Sequence, residues 1–378
     1  MAIIRPIALY LPQFHPIPEN DQWWGKGFTE WTNVAKAKPL FKGHWQPRLP
    51  ADLGFYDLRL PEVRDAQARM AKDYGIEGFC YWHYWFAGKR IIERPFQEVV
   101  ETGKPNFPFC LAWANQTWEG TWHGLANNQI LIEQNYPGKD DYEAHFYSLL
   151  NAFHDQRYME VNGLKVFFVF RPMEIPNPKE FIETWQKLAI KEGLKGFHFV
   201  GMHMPQTWDP IEHEYNAMTN NWTSIDRFRI SSKLERFKTK YLHPRLRFLL
   251  KNNRKLPKII SYQQYVNNFP EYPLKENEYP VIFSDWDNTP RAGIDGWLFD
   301  EADPKLFGEL CSRAFKATEN KQNDEKIVII RSWNEWAEGN VLEPDNKHGL
   351  SYLKQFKKSL DSYSNEKVLR SEPKLPFV

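Results

Sequence analysis

Short apolar runs recur along this chain, each ending in polar or aromatic residues and followed by a stretch with helical spacing. The runs predict strands at Pro6–Leu11, Gly78–Trp85, Phe107–Trp113, Lys165–Phe170, Gly196–Met202, Asn216–Trp222, Tyr279–Ser284 and Lys326–Ile330. Helical patterns lie between them at Pro61–Tyr74, Tyr142–Phe153, Pro178–Glu192 and Pro304–Glu319. Pro61, Pro178 and Pro304 stand near helix starts, where a missing N–H costs nothing. Strands alternating with helices imply a parallel sheet. Eight such units in 378 residues predict one α/β domain over residues 1–378, a (β/α)8 TIM barrel.

Two segments break the alternation. Residues 16–56 form a long excursion after the first strand, rich in Pro, Gly and Trp. Loops of that length are usually functional. It reads equally as an aromatic rim over the barrel mouth or as a stacked mini-core that holds the loop shut. Residues 223–260, between strands six and seven, carry twelve Lys/Arg against Asp226 and Glu235, a local net charge of +10. A solvated helical excursion accounts for such a block. The functional alternative is contact with an acidic glycan, a lipid phosphate or nucleic acid.

A barrel places its chemistry at the C-terminal ends of its strands. Those ends carry Tyr10, Gln13 and His15, then Trp82, His83 and Trp85, then Trp113, Asn115 and Trp118. Arg171 follows the fourth strand, His203 the fifth, and Asn221 and Trp222 the sixth. The seventh ends in Asp285-Trp286-Asp287-Asn288, the eighth in Ser332-Trp333-Asn334-Glu335-Trp336-Ala337-Glu338-Gly339. A lone strand-end histidine is more often structural; here the polar and aromatic ends coincide around the ring. Glu335 and Glu338 lie among indoles, and desolvation there raises a carboxyl pKa into the range of a working acid. An acid–base pair beside an aromatic wall is what cleavage of a sugar acetal requires. The competing reading of Glu-x-x-Glu is a helical first turn favoured by the macrodipole.

Composition sharpens this picture. The chain has 16 Trp, 17 Tyr and 27 Phe, more flat surface than a core alone explains, and sugars present apolar faces to such surfaces. The net charge is +1, so bulk charge gives no sign of a nucleic-acid partner. No apolar run is long enough for a membrane span. The start, Met1-Ala2-Ile3-Ile4-Arg5-Pro6, lacks the regions of a signal peptide, and Cys80, Cys110 and Cys311 read as reduced thiols. A cytoplasmic location is expected. No Cys/His spacing suggests a metal, and no cofactor is expected.

Tyr10-Leu-Pro-Gln-Phe-His15, Glu19-Asn-Asp-Gln-Trp-Trp-Gly25, Gly27-Phe-Thr-Glu-Trp31, Gly43-His-Trp-Gln-Pro47 and Asp52-Leu-Gly-Phe-Tyr-Asp57 together resemble the signature of the WbsX-like family. That family is associated with bacterial polysaccharide loci and is related to glycoside hydrolase family 99, whose members are (β/α)8 endo-α-mannosidases that retain configuration. The resemblance runs from about Ile7 to about Pro344. The family 99 motif, Ser-x-Asn-Glu-Trp-x-Glu-Gly-x-x-x-Glu, falls on Ser332, Asn334, Glu335, Trp336, Glu338, Gly339 and Glu343. The resemblance implies that Glu335 helps the substrate's own 2-hydroxyl attack the anomeric carbon, giving a 1,2-anhydro sugar. It implies that Glu338 protonates the leaving oxygen and later activates water. Ala337 stands where family 99 often has His, and Asn340 and Val341 replace more polar neighbours, at positions that would line the sugar site.

The expected function is therefore a glycoside hydrolase acting on a bacterial polysaccharide or oligosaccharide, with Glu335 and Glu338 as its catalytic pair. Trp23, Trp24, Trp31, Trp82, Trp85, Trp113 and Trp118 are candidate stacking surfaces. His83, Asn115, His203, Asp285, Asp287 and Asn334 are candidate hydroxyl partners. Tyr10, Gln13, His15, Glu30, Trp286, Trp333 and Glu343 complete the candidate site. One rival is a glycosyltransferase, in which Asp285-Trp286-Asp287 holds a metal against a sugar-nucleotide diphosphate. No Gly-rich phosphate loop accompanies it. The other rival is a glycan-binding protein without activity.

Overall fold

A computed structural model describes residues 4–120, 130–219, 256–270 and 273–371. The eight expected strands are all present: β1 Arg5–Tyr10, β2 Gly78–His83, β3 Phe109–Trp113, β4 Leu164–Val169, β5 Phe197–Gly201, β6 Ala217–Thr219, β7 Glu278–Tyr279 continued by Val281–Phe283, and β8 Ile327–Arg331. Every pair between neighbours is parallel. The hydrogen-bonded path begins at Glu278–Tyr279, passes through β6, β5, β4, β3, β2, β1 and β8 in that order, and ends at Val281–Phe283. Both ends of the path thus lie on one strand, on either side of Pro280, and the sheet closes into a barrel. Pro280 cannot donate to the ladder, but its carbonyl accepts from Ile329 N at 2.9 Å. Closure removes every sheet edge.

The helices start where the sequence marks them. Pro61–Asp73, Pro178–Lys191 and Pro304–Ala317 each carry proline in the first turn. Asn177 and Asp303 cap two of them, Asp303 by accepting from Lys305 N and Leu306 N at 2.7 and 2.9 Å.

Several bounds differ from expectation. β2 stops at His83, because Trp85–Phe86 turns back on Lys89–Arg90 as a hairpin through Ala87 and Gly88, both at positive φ. β3 starts at Phe109 rather than Phe107, since Pro108 has no N–H to pair. The helical stretch expected at Tyr142–Phe153 is two helices, Lys139–Ser148 and Leu150–His154. The excursion over 16–56 is not plain loop: it holds helices α1 Pro18–Trp24 and α2 Glu30–Lys36. The basic stretch expected over 223–260 lies outside the described residues except for Leu256–Ile260, which lead into a strand, Lys258–Ser261, paired with Trp297–Asp300 outside the barrel. Asn221 and Trp222 also lie outside them.

Much of the aromatic content packs between the barrel and its helices. Trp185 is fully buried and meets Phe167, Phe181 and Phe197 at ring separations of 4.7, 5.1 and 5.2 Å. Such pairs contribute about 0.5–1.5 kcal/mol each beyond their buried area. Cys80, Cys110 and Cys311 are buried, free thiols. No helix among the described residues is long and apolar enough to cross a membrane. Trp185→Ala should destabilise the fold by about 3–5 kcal/mol. Urea unfolding at neutral pH checks this, and a loss below about 1 kcal/mol would contradict the packing described.

Candidate active site

The chain leaves β8 in a tight loop that carries both glutamates. Asn334–Glu335 pairs antiparallel with Asn340–Val341, and a single 3-10 turn, Trp336–Glu338, joins them. Gly339 closes the turn at φ +69°, and a Cβ there would stand 2.7 Å from Asp287 N, so only glycine fits. Asn334 fixes the loop to the end of β1: its Oδ1 accepts from Leu11 N at 2.7 Å and its Nδ2 donates to Leu11 O at 3.0 Å.

Glu335 and Glu338 face one cleft at the C-terminal mouth of the barrel, with Trp82, Trp118, Tyr84 and Phe170 as aromatic walls. Glu335 Oε1 accepts from Trp82 Nε1 at 2.7 Å, and Arg331 Nη2 lies 3.8 Å from Oε2. Glu338 Oε1 accepts from Arg291 Nη1 at 2.6 Å, and Oε2 from Arg331 Nη2 at 3.3 Å. Arg331 packs its guanidinium near the faces of Trp82 and Trp286, at 5.9 and 5.3 Å. Burial pushes the Glu338 carboxyl upward, and the adjacent Glu335 charge adds to it, outweighing the two arginines. Burial opposes ionisation of Glu335 too, but Arg331, a hydrogen bond from Glu338, Arg291 and the Trp82 N–H together hold it low. The two carboxyls thus have opposed proton affinities, Glu338 keeping its proton and Glu335 giving its proton up.

The cleft brings together five of the residues singled out from sequence: Gln13, Trp82, Trp118, Glu335 and Glu338. Trp23 stands at its rim, edge-on to Trp118 at 6.0 Å. Other candidates support it from behind. Glu343 is buried, with Tyr56 OH, Trp336 Nε1 and Gln67 Nε2 donating to it at 2.8, 2.7 and 2.6 Å; burial pushes its carboxyl up to about 7. Tyr10 OH donates to Gln67 Oε1 at 2.7 Å, extending that network. Trp31 and Trp333 are packing residues, against Trp336 and Phe79 at 5.5 and 5.2 Å. Trp24 packs on Phe28 at 5.9 Å, and His15 is buried, its imidazole driven down to about 4 by desolvation.

His83, Trp85 and Trp113 are not in the cleft lining and pack around His145 instead. His83 Nε2 and His145 Nε2 share a hydrogen bond of 2.8 Å, and Trp85 stacks on His145 at 4.8 Å with an interplanar angle of 3°. Trp113 Nε1 donates to Trp85 O at 3.2 Å within the same packing layer. Asn115 spans two strand ends, donating to Arg171 O and accepting from Arg171 N at 2.9 and 2.7 Å. His203 is half-buried, against Phe170 at 5.8 Å. Asp285, Trp286 and Asp287 also turn inward. Asp285 pairs with the buried Arg48, which donates as well to Gly339 O. Asp287 Oδ2 meets His44 Nε2 and Gln46 Nε2, each at 2.7 Å, and its Oδ1 accepts from Thr289 N and Oγ1 at 3.0 and 2.6 Å. Trp286 stacks on Trp297 at 4.7 Å. Both aspartates are therefore engaged in holding the 16–56 excursion against the barrel. Among the described residues no group of three or more His, Cys, Asp or Glu is arranged to hold a metal ion.

Sequence reasoning placed Tyr84 only within the second strand's end and missed Phe170, Arg291 and Arg331 as cleft residues. Arg331 carried a faint signal, a charge directly after the apolar run of β8. Arg291 carried none.

Residues 6–356 match the profile of the family described as Glycosyltransferase WbsX. The chain belongs to that family. Two curated relatives, each named uncharacterized protein WxcX, from two strains of Xanthomonas campestris pv. campestris, are 35% identical over 356 residues. The match takes 94% of this chain and 49% of theirs, so the chain spans about half the length of those relatives. The fold is similar to the GH99 endo-alpha-mannosidase from Bacteroides thetaiotaomicron, with a TM-score of 0.57 and 12% identity over 96% of this chain and 98% of that one. It is similar also to a structure named glycoside hydrolase-like protein, with a TM-score of 0.58 and 14% identity over 95% and 94% of the two chains.

The Glu343 network makes a test of how the loop is held. Glu343→Gln replaces an acceptor by a donor among three donors, and an unsatisfied buried donor costs about 1–3 kcal/mol. Denaturant unfolding should show a loss of that size, whereas an unchanged midpoint would mean that the network does not hold the loop.

Proposed function

We propose that this chain is a glycoside hydrolase that cleaves a bacterial polysaccharide or oligosaccharide with retention of configuration. The observation that carries the reading is a pair of carboxyls that share Arg331 Nη2, at 3.8 and 3.3 Å, with opposed proton affinities on the floor of an aromatic-walled cleft. The ionised Glu335 takes the proton of the substrate's 2-hydroxyl as that oxygen attacks the anomeric carbon. The glycosidic bond breaks, and Glu338 gives its proton to the leaving oxygen. Glu338 then takes a proton from water as it opens the 1,2-anhydro ring, and Glu335 returns its proton to O2. Retention and participation of the 2-hydroxyl both come from the family 99 resemblance. Direct attack by Glu335 fits less well, because Trp82 Nε1 and Arg331 already hold its oxygens.

The family's description favours a second reading, a glycosyltransferase. The engagement of Asp285 and Asp287 by Arg48, His44 and Gln46 counts against a metal–diphosphate site there. A glycan-panel digestion read by mass spectrometry, with and without chelator, separates the two. Cleavage that persists in chelator supports hydrolysis. Transfer from a nucleotide sugar that needs added Mn²⁺ or Mg²⁺, without cleavage of any glycan, would establish the transferase.

The pH profile follows from the same pair. Glu338 must be protonated to act as acid, and its raised affinity keeps it so at neutrality; activity should fall as pH rises through its titration. Glu335 is held low, so the acid limb should lie below the ordinary carboxylate range of about 4. Glu338→Gln should cost about 10²–10⁴-fold in kcat/KM, largely recovered with a leaving group that needs no proton. Persistence of the alkaline limb in Glu338→Gln would assign it elsewhere.

A further inference from the structure

Glu30 was a candidate sugar partner, but its side chain is wholly out of solvent at the first position of α2. It reaches the cleft through another residue. Arg291 Nη2 and Nε donate to Glu30 Oε1 at 2.6 and 3.1 Å, while Nη1 donates to Glu338 Oε1 at 2.6 Å. One guanidinium is thereby divided between two carboxylates, one from the 16–56 excursion and one from the loop after β8. Among the described residues, Arg291 is the cation that Glu30 meets.

We propose that Glu30 is a positioning residue for the acid: by drawing on Arg291 it fixes that guanidinium and leaves Glu338 able to hold its proton. This inference rests on the reading of Glu338 as the acid. A guanidinium paired with Glu338 alone stabilises the carboxylate and weakens the acid. Glu30 offsets this in two ways. Its own negative charge opposes ionisation of Glu338, and its claim on Nη2 and Nε keeps the guanidinium from turning its forked face onto Glu338. The other groups facing Glu338 do not do the same. Glu335 and Arg331 come from β8 and its loop, and they act in opposite senses. Tyr84, after β2, is neutral because burial keeps its phenol protonated. Glu119 lines the same cleft. Glu30 is thus the group through which the first excursion reaches the chemistry. A sugar hydroxyl partner in its place would be exposed to the cleft, and Glu30 is not.

The test needs no substrate. The full chain is labelled at the glutamate side-chain carboxyl carbons with ¹³C, and the signals are followed by NMR across the acid to alkaline range. The Glu338→Gln spectrum identifies the Glu338 signal by its loss. Glu30→Gln keeps shape and a contact to Arg291 but removes the charge. It should lower the Glu338 midpoint by at least about one unit, a tenfold weaker hold on the proton. Arg291→Gln should raise that midpoint, and in its background the effect of Glu30→Gln should shrink by more than half. A raised wild-type midpoint that Glu30→Gln leaves in place, with the other carboxyl signals unchanged, overturns the proposal alone. A wild-type Glu338 that titrates with the ordinary carboxylates overturns the acid assignment instead, whatever Glu30→Gln does. Should Glu30→Gln fail to fold, Arg291→Gln decides: a Glu338 midpoint that does not move shows that Arg291 transmits nothing.

Discussion

Three carboxylates and two guanidiniums meet at and behind the floor of the cleft, and their charges cancel only when one proton stays on the Glu335–Glu338 pair. Glu30, Glu335 and Glu338 meet Arg291 and Arg331 at 2.6–3.8 Å, all of them largely or wholly withdrawn from water. A charge buried without a partner costs several kcal/mol, so the group must be balanced as a whole. Five ionised groups would leave one net negative charge; a single retained proton removes it. The proton that a general acid needs is thus the one that the packing requires.

That balance depends on three distant parts of the chain arriving together. Arg331, Glu335 and Glu338 come from the end of β8 and its loop, Arg291 from the segment after β7, and Glu30 from the excursion after β1. Barrel closure through Pro280 puts β7 beside β8, and the β1–β8 pairing puts the excursion beside both. Ordering some forty residues of excursion costs about 1–2 kcal/mol each in backbone entropy. Buried contacts offset this: Arg48 with Asp285, His44 and Gln46 with Asp287, and Tyr56 with Glu343. The Asp287 N–H also donates to Glu338 O at 2.7 Å, so the residue that anchors the excursion holds the backbone of the acid as well. The Asp-x-Asp segment and the catalytic loop form one supporting layer.

The barrel was legible because strand and helix runs alternate with different periods and the helix starts carry proline. All eight strands fall within about two residues of their expected bounds where the chain is described. The largest misreading, Trp85, has a local cause: a strand cannot be told from a strand followed at once by a hairpin when both are aromatic. The catalytic loop was legible because two glutamates among tryptophans at a strand end are rare. The rest of the site was less so. Tryptophan packs against sugars and against histidine equally well; Trp85 stacks on His145 and Trp113 meets the same ring edge-on. Asp285, Asp287 and Glu30 were visible as acids, but nothing in one sequence says which cation an acid meets. Their partners Arg48, His44 and Arg291 lie 237, 243 and 261 residues away. An arginine alone in a loop, such as Arg291, forms no pattern at all.

The same balance constrains what the floor of the cleft accepts. With Arg291 and Arg331 committed to carboxylates, an anion settling there would have to draw a guanidinium away from Glu30, Glu335 or Glu338. Removing one partner of a buried ion pair typically costs about 3–5 kcal/mol. A neutral polyol faces no such cost. Its hydroxyls find acceptors in Glu335 and a donor in the Glu338 carboxyl, and its apolar face finds Trp82, Trp118 and Phe170. The floor therefore favours a neutral polyol over an anion, because the anion would have to break a buried pair.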